Sequence, residues 1–158
     1  MDKKKVRDVI IIGSGPAGLT AGIYAGRAAL DTLILGGVKF GGQLMITSEV
    51  ENYPGFESIL GPELIQKMID QTEKNGAEIL YKDITKVDFS KRPFTVYAGE
   101  EEYQSKVVII TTGADPKKLG IPGEEEFTGR GVSYCATCDG AFFKEKEIAV
   151  VGGGDSAM

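Results

Sequence analysis

Four β-branched residues in a row, Val9-Ile10-Ile11-Ile12, run directly into Gly13-Ser14-Gly15-Pro16-Ala17-Gly18. No other stretch restricts the fold as much. A continuous apolar run predicts a strand buried on both faces, as parallel sheets require, and a helical pattern from Pro16 to Ala28 begins at once after the glycines. The glycines occupy the three positions of G-x-G-x-x-G, each for a steric reason. Gly13 makes the turn, Gly15 lets the backbone approach a pyrophosphate, and Gly18 lets the helix pack on the strand. Pro16 suits the first helical turn, where its missing N–H costs nothing, and the helix N-terminus would face the phosphates. A dinucleotide site is the expectation. The alternative, an ordinary glycine-rich loop, does not account for the flanking strand and helix.

One part of that fingerprint is missing. An acidic side chain usually ends the second strand and holds the adenosine ribose, but here Thr32-Leu33-Ile34-Leu35 runs into Gly36-Gly37, and Asp31 comes too early. The gap favours neither NAD nor FAD. With Gly36 in the acid's place, nucleotide retention should rest on phosphate contacts, so Gly15→Val is expected to abolish it and Gly36→Glu to be tolerated.

The rest of the chain alternates helical and strand patterns. A long segment without period, from Phe40 to Phe56, precedes a helix from Pro62 to about Asn75-Gly76 whose residues Leu64, Ile65, Met68 and Ile69 share one face. Short strands then follow at Ile79–Tyr81, Ile84–Phe89, Phe94–Ala98 and around Tyr103, read as an antiparallel meander laid over the main sheet. Val107–Thr111, continuously apolar, returns to the parallel sheet. At Gly120-Ile121-Pro122-Gly123 turn residues and acids take over, which marks a crossing between domains. Glu147–Val151 reads as a strand before Gly152-Gly153-Gly154-Asp155-Ser156-Ala157, a second G-x-G-x-x-A in which Gly152 and Gly154 would turn around another pyrophosphate.

Composition excludes several classes. The net charge is −5 with both signs interspersed, so no basic face is available for nucleic acid. Glu100–Glu102 and Glu124–Glu126 read as solvated loops. Lys3-Lys4-Lys5 before Val9–Ile12 resembles a signal peptide only superficially, because the apolar run is too short, and no stretch is long enough to span a membrane. The chain holds two cysteines and no histidine. One pair does not make a disulfide framework, whereas a cytoplasmic redox pair needs no more.

Those cysteines, Cys135 and Cys138, form a C-x-x-C. Structural zinc needs four ligands and this chain offers no further Cys or His, which leaves zinc only to a site shared with a symmetric partner; no metal is expected. Inert burial fits poorly beside Thr137, Asp139 and Gly140, so redox activity is the leading reading. Two intervening residues let the sulfurs meet, and a helix N-terminus would stabilise the exchanging thiolate. Asp139 reads equally as a general acid for the departing thiolate or as a helix cap or solvated surface acid.

Taken together, Gly13–Gly18, Gly41-Gly42-Gln43-Leu44, Glu49-Val50-Glu51-Asn52-Tyr53-Pro54-Gly55, Thr112-Gly113-Ala114 and Cys135-Ala136-Thr137-Cys138-Asp139-Gly140 resemble the bacterial-type, low-molecular-weight thioredoxin reductases. The resemblance runs through the whole chain. It implies an α/β fold: a Rossmann-like FAD-binding domain over 1–117 with a parallel central sheet and an antiparallel β-meander, then the start of a second Rossmann-like NAD(P)-binding domain over 118–158. It also implies a homodimeric cytoplasmic flavoprotein that passes electrons from NADPH through FAD and the Cys135/Cys138 pair to thioredoxin. By position, Gly13, Ser14, Gly15, Pro16 and Ala17 would cradle the FAD pyrophosphate. Gly42, Gln43 and Leu44 would line the flavin side, Asn52 would lie near the ring, and Thr112 with Gly113 would close the site. Members of this family often lack the ribose acid, so Gly36 departs from the general fingerprint and not from the family. The competing readings are a related FAD-dependent dithiol oxidase or disulfide reductase with another donor such as ferredoxin, and a non-enzymatic nucleotide-binding module. The second glycine loop leads into a helix that has barely begun. The chain is therefore expected to be the front part of one of about 300 residues or more, exposing apolar surface near Glu147–Val151.

Overall fold

Hydrophobic continuity decides the centre of the sheet. In the computed structural model, which describes residues 5–155, 157 and 158, Val6–Ile12 forms β1, and both of its neighbours, β2 (Thr32–Leu35) and β8 (Glu101–Ile110), run parallel to it. Ile10 lies level with Leu33 on one side and Val108 on the other. Because side chains alternate across a strand, β1 feeds two cores at once. Val9 and Ile11 pack with Ile34, Ile79 and helix residues, while Ile10 and Ile12 pack with Leu33, Leu35 and Val96 on the opposite face.

Two helices cover the first face. Pro16 opens α1 (Pro16–Arg27) directly after Gly15, and α2 (Gly61–Lys74) buries Leu64, Ile65, Met68 and Ile69, the stripe legible in the sequence. Each such side chain contributes about 1.5–3 kcal/mol of transfer free energy. Thr72, fully buried, donates its hydroxyl to the carbonyls of Met68 and Leu19 and so ties α2 to α1. Between β2 and α2 the irregular segment contains one 3₁₀ turn, Gly42–Ile46, and a two-stranded ribbon of β3 (Glu49–Val50) and β4 (Ile59–Leu60).

In the central sheet the strand expectations need three corrections. β5 (Glu78–Leu80) does not belong to a meander. It pairs parallel with β2 at one edge of the six-stranded order β5-β2-β1-β8-β7-β6, because α2 carries the chain back to the starting end of the sheet. The two strands expected around Tyr103 and Val107 are one ten-residue strand, β8, since Gln104-Ser105-Lys106 contains no Gly, Pro, Asn or Asp to break it and Ser105 is buried within the ladder. Its first half pairs antiparallel with β7 (Phe94–Ala98), which pairs with β6 (Lys86–Asp88); the meander therefore extends the central sheet and does not lie over it.

The chain divides into two units, Met1–Gly113 and Ala114–Met158. In the second, α3 (Glu124–Phe127) and α4 (Ala136–Asp139) are single turns, and a 3₁₀ turn spans Gly140–Phe143. Glu147–Val151 does not form a strand; no described strand supplies a ladder for it. Its apolar residues Ile148, Val150 and Val151 are 64–68% exposed, as expected for this stretch. Glu124 is a further correction: it is buried, and only Glu125 and Glu126 are solvated. Lys3, Lys4 and Ser156 of the sequence reading lie outside the described residues. Among those described, no helix is long and apolar enough to cross a membrane.

Candidate functional site

The two ends of the parallel strands differ in chemistry. At the starting end, Arg7 pairs with Asp31 at 2.7 Å and with Glu78, and Lys106 pairs with Asp8 at 2.6 Å, a rim of surface ion pairs. At the carboxyl end lie the glycines, where open α/β sheets place their ligands.

Each glycine of the first fingerprint occupies the environment its position requires. Gly13 has φ +110°, and a Cβ there would sit 2.3 Å from the Thr111 carbonyl oxygen. A Cβ on Gly18 would sit 2.1 Å from the Gly13 carbonyl oxygen, so helix and strand meet only because both residues lack a side chain. Gly15 is the opposite case. Nothing stands within 4 Å of a Cβ built on it, and a Cβ built on Gly42 would lie 3.5 Å from the Gly15 Cα. Two glycines 27 residues apart in sequence thus face one space beside the N-terminus of α1.

The Ser14 side chain and Gly36 are tied into the fold by their own contacts. The buried Ser14 hydroxyl donates to the Gly36 carbonyl at 2.8 Å and accepts from the Gly41 N–H at 3.1 Å, clipping the glycine loop to the segment after β2. Gly36 is itself enclosed: a Cβ would meet the Phe40 ring at 2.6 Å and the Ser14 Cβ at 2.8 Å. The expectation that Gly36→Glu is tolerated is therefore wrong. Pro16 and Ala17 form the first turn of α1, with Ala17 exposed.

An opening of about 370 Å³ lies at the ends of β1 and β2, bounded by Gly13, Gly36, Gly37, Asp83, Ile84 and Thr112 among others. Gly113 follows Thr112 at φ +70°. Asp83 was not foreseen; it arrives from the loop after β5, and its Oδ1 accepts the Val38 N–H at 2.9 Å. Thr111 was also missed. Its hydroxyl donates toward the carbonyls of Ile12 at 2.8 Å and Gly13 at 3.2 Å and holds the end of β8 against the glycine turn. In the 3₁₀ turn Leu44 packs against the helix-side core, Gln43 is exposed with its carbonyl accepting the Thr47 hydroxyl, and Asn52 is exposed after β3.

In the second unit Cys135 and Cys138 form a disulfide with Cα atoms 5.3 Å apart. Cys135 caps α4: its Sγ accepts the Cys138 N–H at 3.2 Å, and its carbonyl accepts the Asp139 N–H at 3.0 Å. Asp139 is not the cap. Its carboxylate Oδ2 accepts the Ser133 hydroxyl at 2.6 Å, and the same Ser133 oxygen accepts the Cys135 N–H at 3.1 Å. Just ahead of this loop, Glu124 accepts the N–H groups of Leu119 at 2.9 Å and Gly120 at 2.6 Å and the Tyr134 hydroxyl at 2.9 Å. These bonds to the charged form, that of Leu119 foremost, hold its carboxyl below the usual glutamate range despite burial. Ser133, Glu124 and Tyr134 carry no motif that would have flagged them. Gly152 and Gly154 are exposed in a loop in which the Ala157 N–H donates to the Gly154 carbonyl at 2.8 Å. The strand–turn–helix around them is not formed among the described residues. No group of three or more His, Cys, Asp or Glu among those residues could hold a metal ion.

One chain thus carries a mostly parallel sheet with an open glycine cradle at its carboxyl end and a Cys-x-x-Cys disulfide. The chain belongs to the pyridine nucleotide-disulphide oxidoreductase family, whose pattern matches residues 7–158. It is 58% identical over 158 residues to the thioredoxin reductase of Bacillus subtilis (strain 168), covering all of this chain and 50% of that protein. It is 57% identical to that of Listeria innocua serovar 6a, covering 99% of this chain and 49% of the other. The crystal structure of thioredoxin reductase from Streptococcus pyogenes MGAS5005 superposes with a TM-score of 0.87 at 48% identity, covering 98% of this chain and 51% of that one. The chain spans about half the length of the curated relatives it matches.

Proposed function

We propose that this chain is the front portion of an FAD-dependent thioredoxin-disulfide reductase, with an FAD-binding domain over 1–117 and the beginning of an NAD(P)H-binding domain over 118–158. The observation that carries the reading is the reducible disulfide, bracketed by Ser133 and Asp139, in a chain whose first unit keeps the space beside Gly15 free. FAD fits that unit, because Gly15 and Gly42 leave room for a pyrophosphate at the N-terminus of a twelve-residue helix. Backbone N–H groups of Gly13 to Ala17 would hold the phosphates, and Gly42, Gln43, Leu44, Asn52, Thr112 and Gly113 would bound the rest. When bound, FAD supplies a two-electron relay from NADPH, whose own pyrophosphate would meet Gly152 and Gly154.

Reduction converts the disulfide to two thiols by adding two electrons and two protons. One cysteine, as thiolate, attacks the disulfide of thioredoxin. The second resolves the mixed disulfide, so the protein pair is reoxidised and thioredoxin leaves as a dithiol. The Cys138 N–H is aimed at the Cys135 sulfur. Asp139 donates the proton to the departing thiolate. The whole protein is proposed to act in the cytoplasm as a homodimer. In the full-length protein, Cys135→Ser and Cys138→Ser should each leave flavin reduction by NADPH intact and reduce thioredoxin turnover to the uncatalysed rate. Turnover retained in both single variants would refute the relay.

A further inference from the structure

We infer that Ser133 is a positioning residue for the proton-transfer step, a hydroxyl that turns between two acceptors as Asp139 changes protonation state. This rests on the reading of Asp139 as the general acid. Three distances carry it. The Ser133 oxygen lies 2.6 Å from Asp139 Oδ2, 3.3 Å from the Cys135 carbonyl oxygen, and 3.1 Å from the Cys135 nitrogen that donates to it. A serine hydroxyl has one proton and two lone pairs. With the Cys135 N–H on one lone pair, the O–H can point to Asp139 or to the Cys135 carbonyl, but not to both.

Each choice matches one state of the acid. When Asp139 is a carboxylate it accepts, so the Ser133 proton points at Oδ2 in a charge-assisted bond. When Asp139 is a carboxylic acid it can donate through Oδ2; the serine then accepts on its second lone pair and turns its proton to the Cys135 carbonyl. Proton release to the departing thiolate leaves one thiol and one carboxylate, and rotation of the Ser133 hydroxyl from Cys135 to Asp139 stabilises the new charge. The Ser133 bond to the Cys135 carbonyl is exchanged for one to Asp139 while the bond from the Cys135 N–H is kept, and solvent returns the proton to Asp139 afterwards. Ser133 also fixes where the acid sits, since the Cys135 backbone that anchors it carries one of the reacting sulfurs. Among the described residues Ser133 is the hydrogen-bond partner of the Asp139 side chain, and no cation pairs with it. The titratable groups nearest in the loop are the two cysteine sulfurs and Tyr134, whose hydroxyl is engaged by Glu124.

The test uses the full-length flavoprotein, reduced beforehand and mixed with thioredoxin disulfide, the exchange being followed by rapid quenching and thiol alkylation from about pH 5 to about pH 9. Ser133→Ala should slow exchange by about 3- to 10-fold, the usual effect of losing one hydrogen bond to a charged group. Ser133→Ala should add nothing further in the Asp139→Asn background, because the hydroxyl acts through that acid. Ser133→Thr, which keeps the hydroxyl at an exposed position, should restore the rate. An unchanged rate in Ser133→Ala, with Asp139→Asn slowed by about 10-fold or more, would overturn the role of Ser133 while leaving the acid in place. A slowing that threonine does not rescue, or that persists in full in the Asp139→Asn background, would reduce Ser133 to loop structure and equally overturn it. No slowing in Asp139→Asn would remove the acid itself, and the inference with it.

Discussion

At the scale of single residues, the glycines of the fingerprint separate into two kinds that substitution should distinguish. Gly18 is missing a side chain because protein fills the space; Gly15 is missing one because nothing does. Gly18→Ala should therefore cost about 1–3 kcal/mol, as overpacking does, and lower the melting temperature of the full-length protein. Gly15→Val, at a φ of −70° that valine adopts, should leave melting of the flavin-free protein unchanged and abolish flavin retention. Equal loss of stability in both would mean that Gly15 also serves packing. Gly13, Gly15 and Gly18 were legible because a fixed spacing ties each to a known neighbour. Gly36 was not: its neighbours Phe40 and Ser14 come together through the Ser14 clip, which no local pattern announces. The same holds for Ser133, an unremarkable serine until the turn of α4 brings Asp139 back to it.

Elements were legible where their period was long and uninterrupted, as in β1, α1 and α2, and less so where tertiary pairing decided the outcome. β5 is three residues long and could have paired either way; the path through α2 makes it parallel. Glu124–Glu126 looked like a charge run, yet at one helical turn the first acid points inward, where the N–H groups of Leu119 and Gly120 have no strand or long helix to satisfy them. That staple is pH dependent. The Glu124 carboxyl is held below its ordinary value near 4.5 in the folded state, so its contribution is present above that value and is lost as pH falls through the lower, folded one. Amide exchange at Leu119 and Gly120, corrected for intrinsic rate, should lose protection below about pH 4.5, and Glu124→Gln should flatten the dependence. The same loss in the glutamine variant would assign it to another group.

Over the whole molecule, stability is distributed unevenly, and the distribution follows from where apolar side chains could be covered. Every buried apolar residue described lies between Val9 and Ala98, within the first unit. The second unit is held by hydrogen bonds to Glu124, by the Cys135–Cys138 disulfide and by single helical turns, while Phe142, Ile148, Val150 and Val151 remain exposed. Units with few buried apolar contacts open at low free energy. In the 158-residue chain, native-state hydrogen exchange should therefore be slowest in β1, β2, β8 and the facing sides of α1 and α2, and fast from Cys135 onward. Ile11→Ala removes a fully buried side chain at the centre of the sheet and should cost about 2–5 kcal/mol. Its effect should be confined to the slow amides of the first unit, because the second already exchanges by its own openings. If exchange from Cys135 onward accelerated in step with β1, the two units would share one cooperative unfolding transition, and the division of stability argued from burial would be wrong.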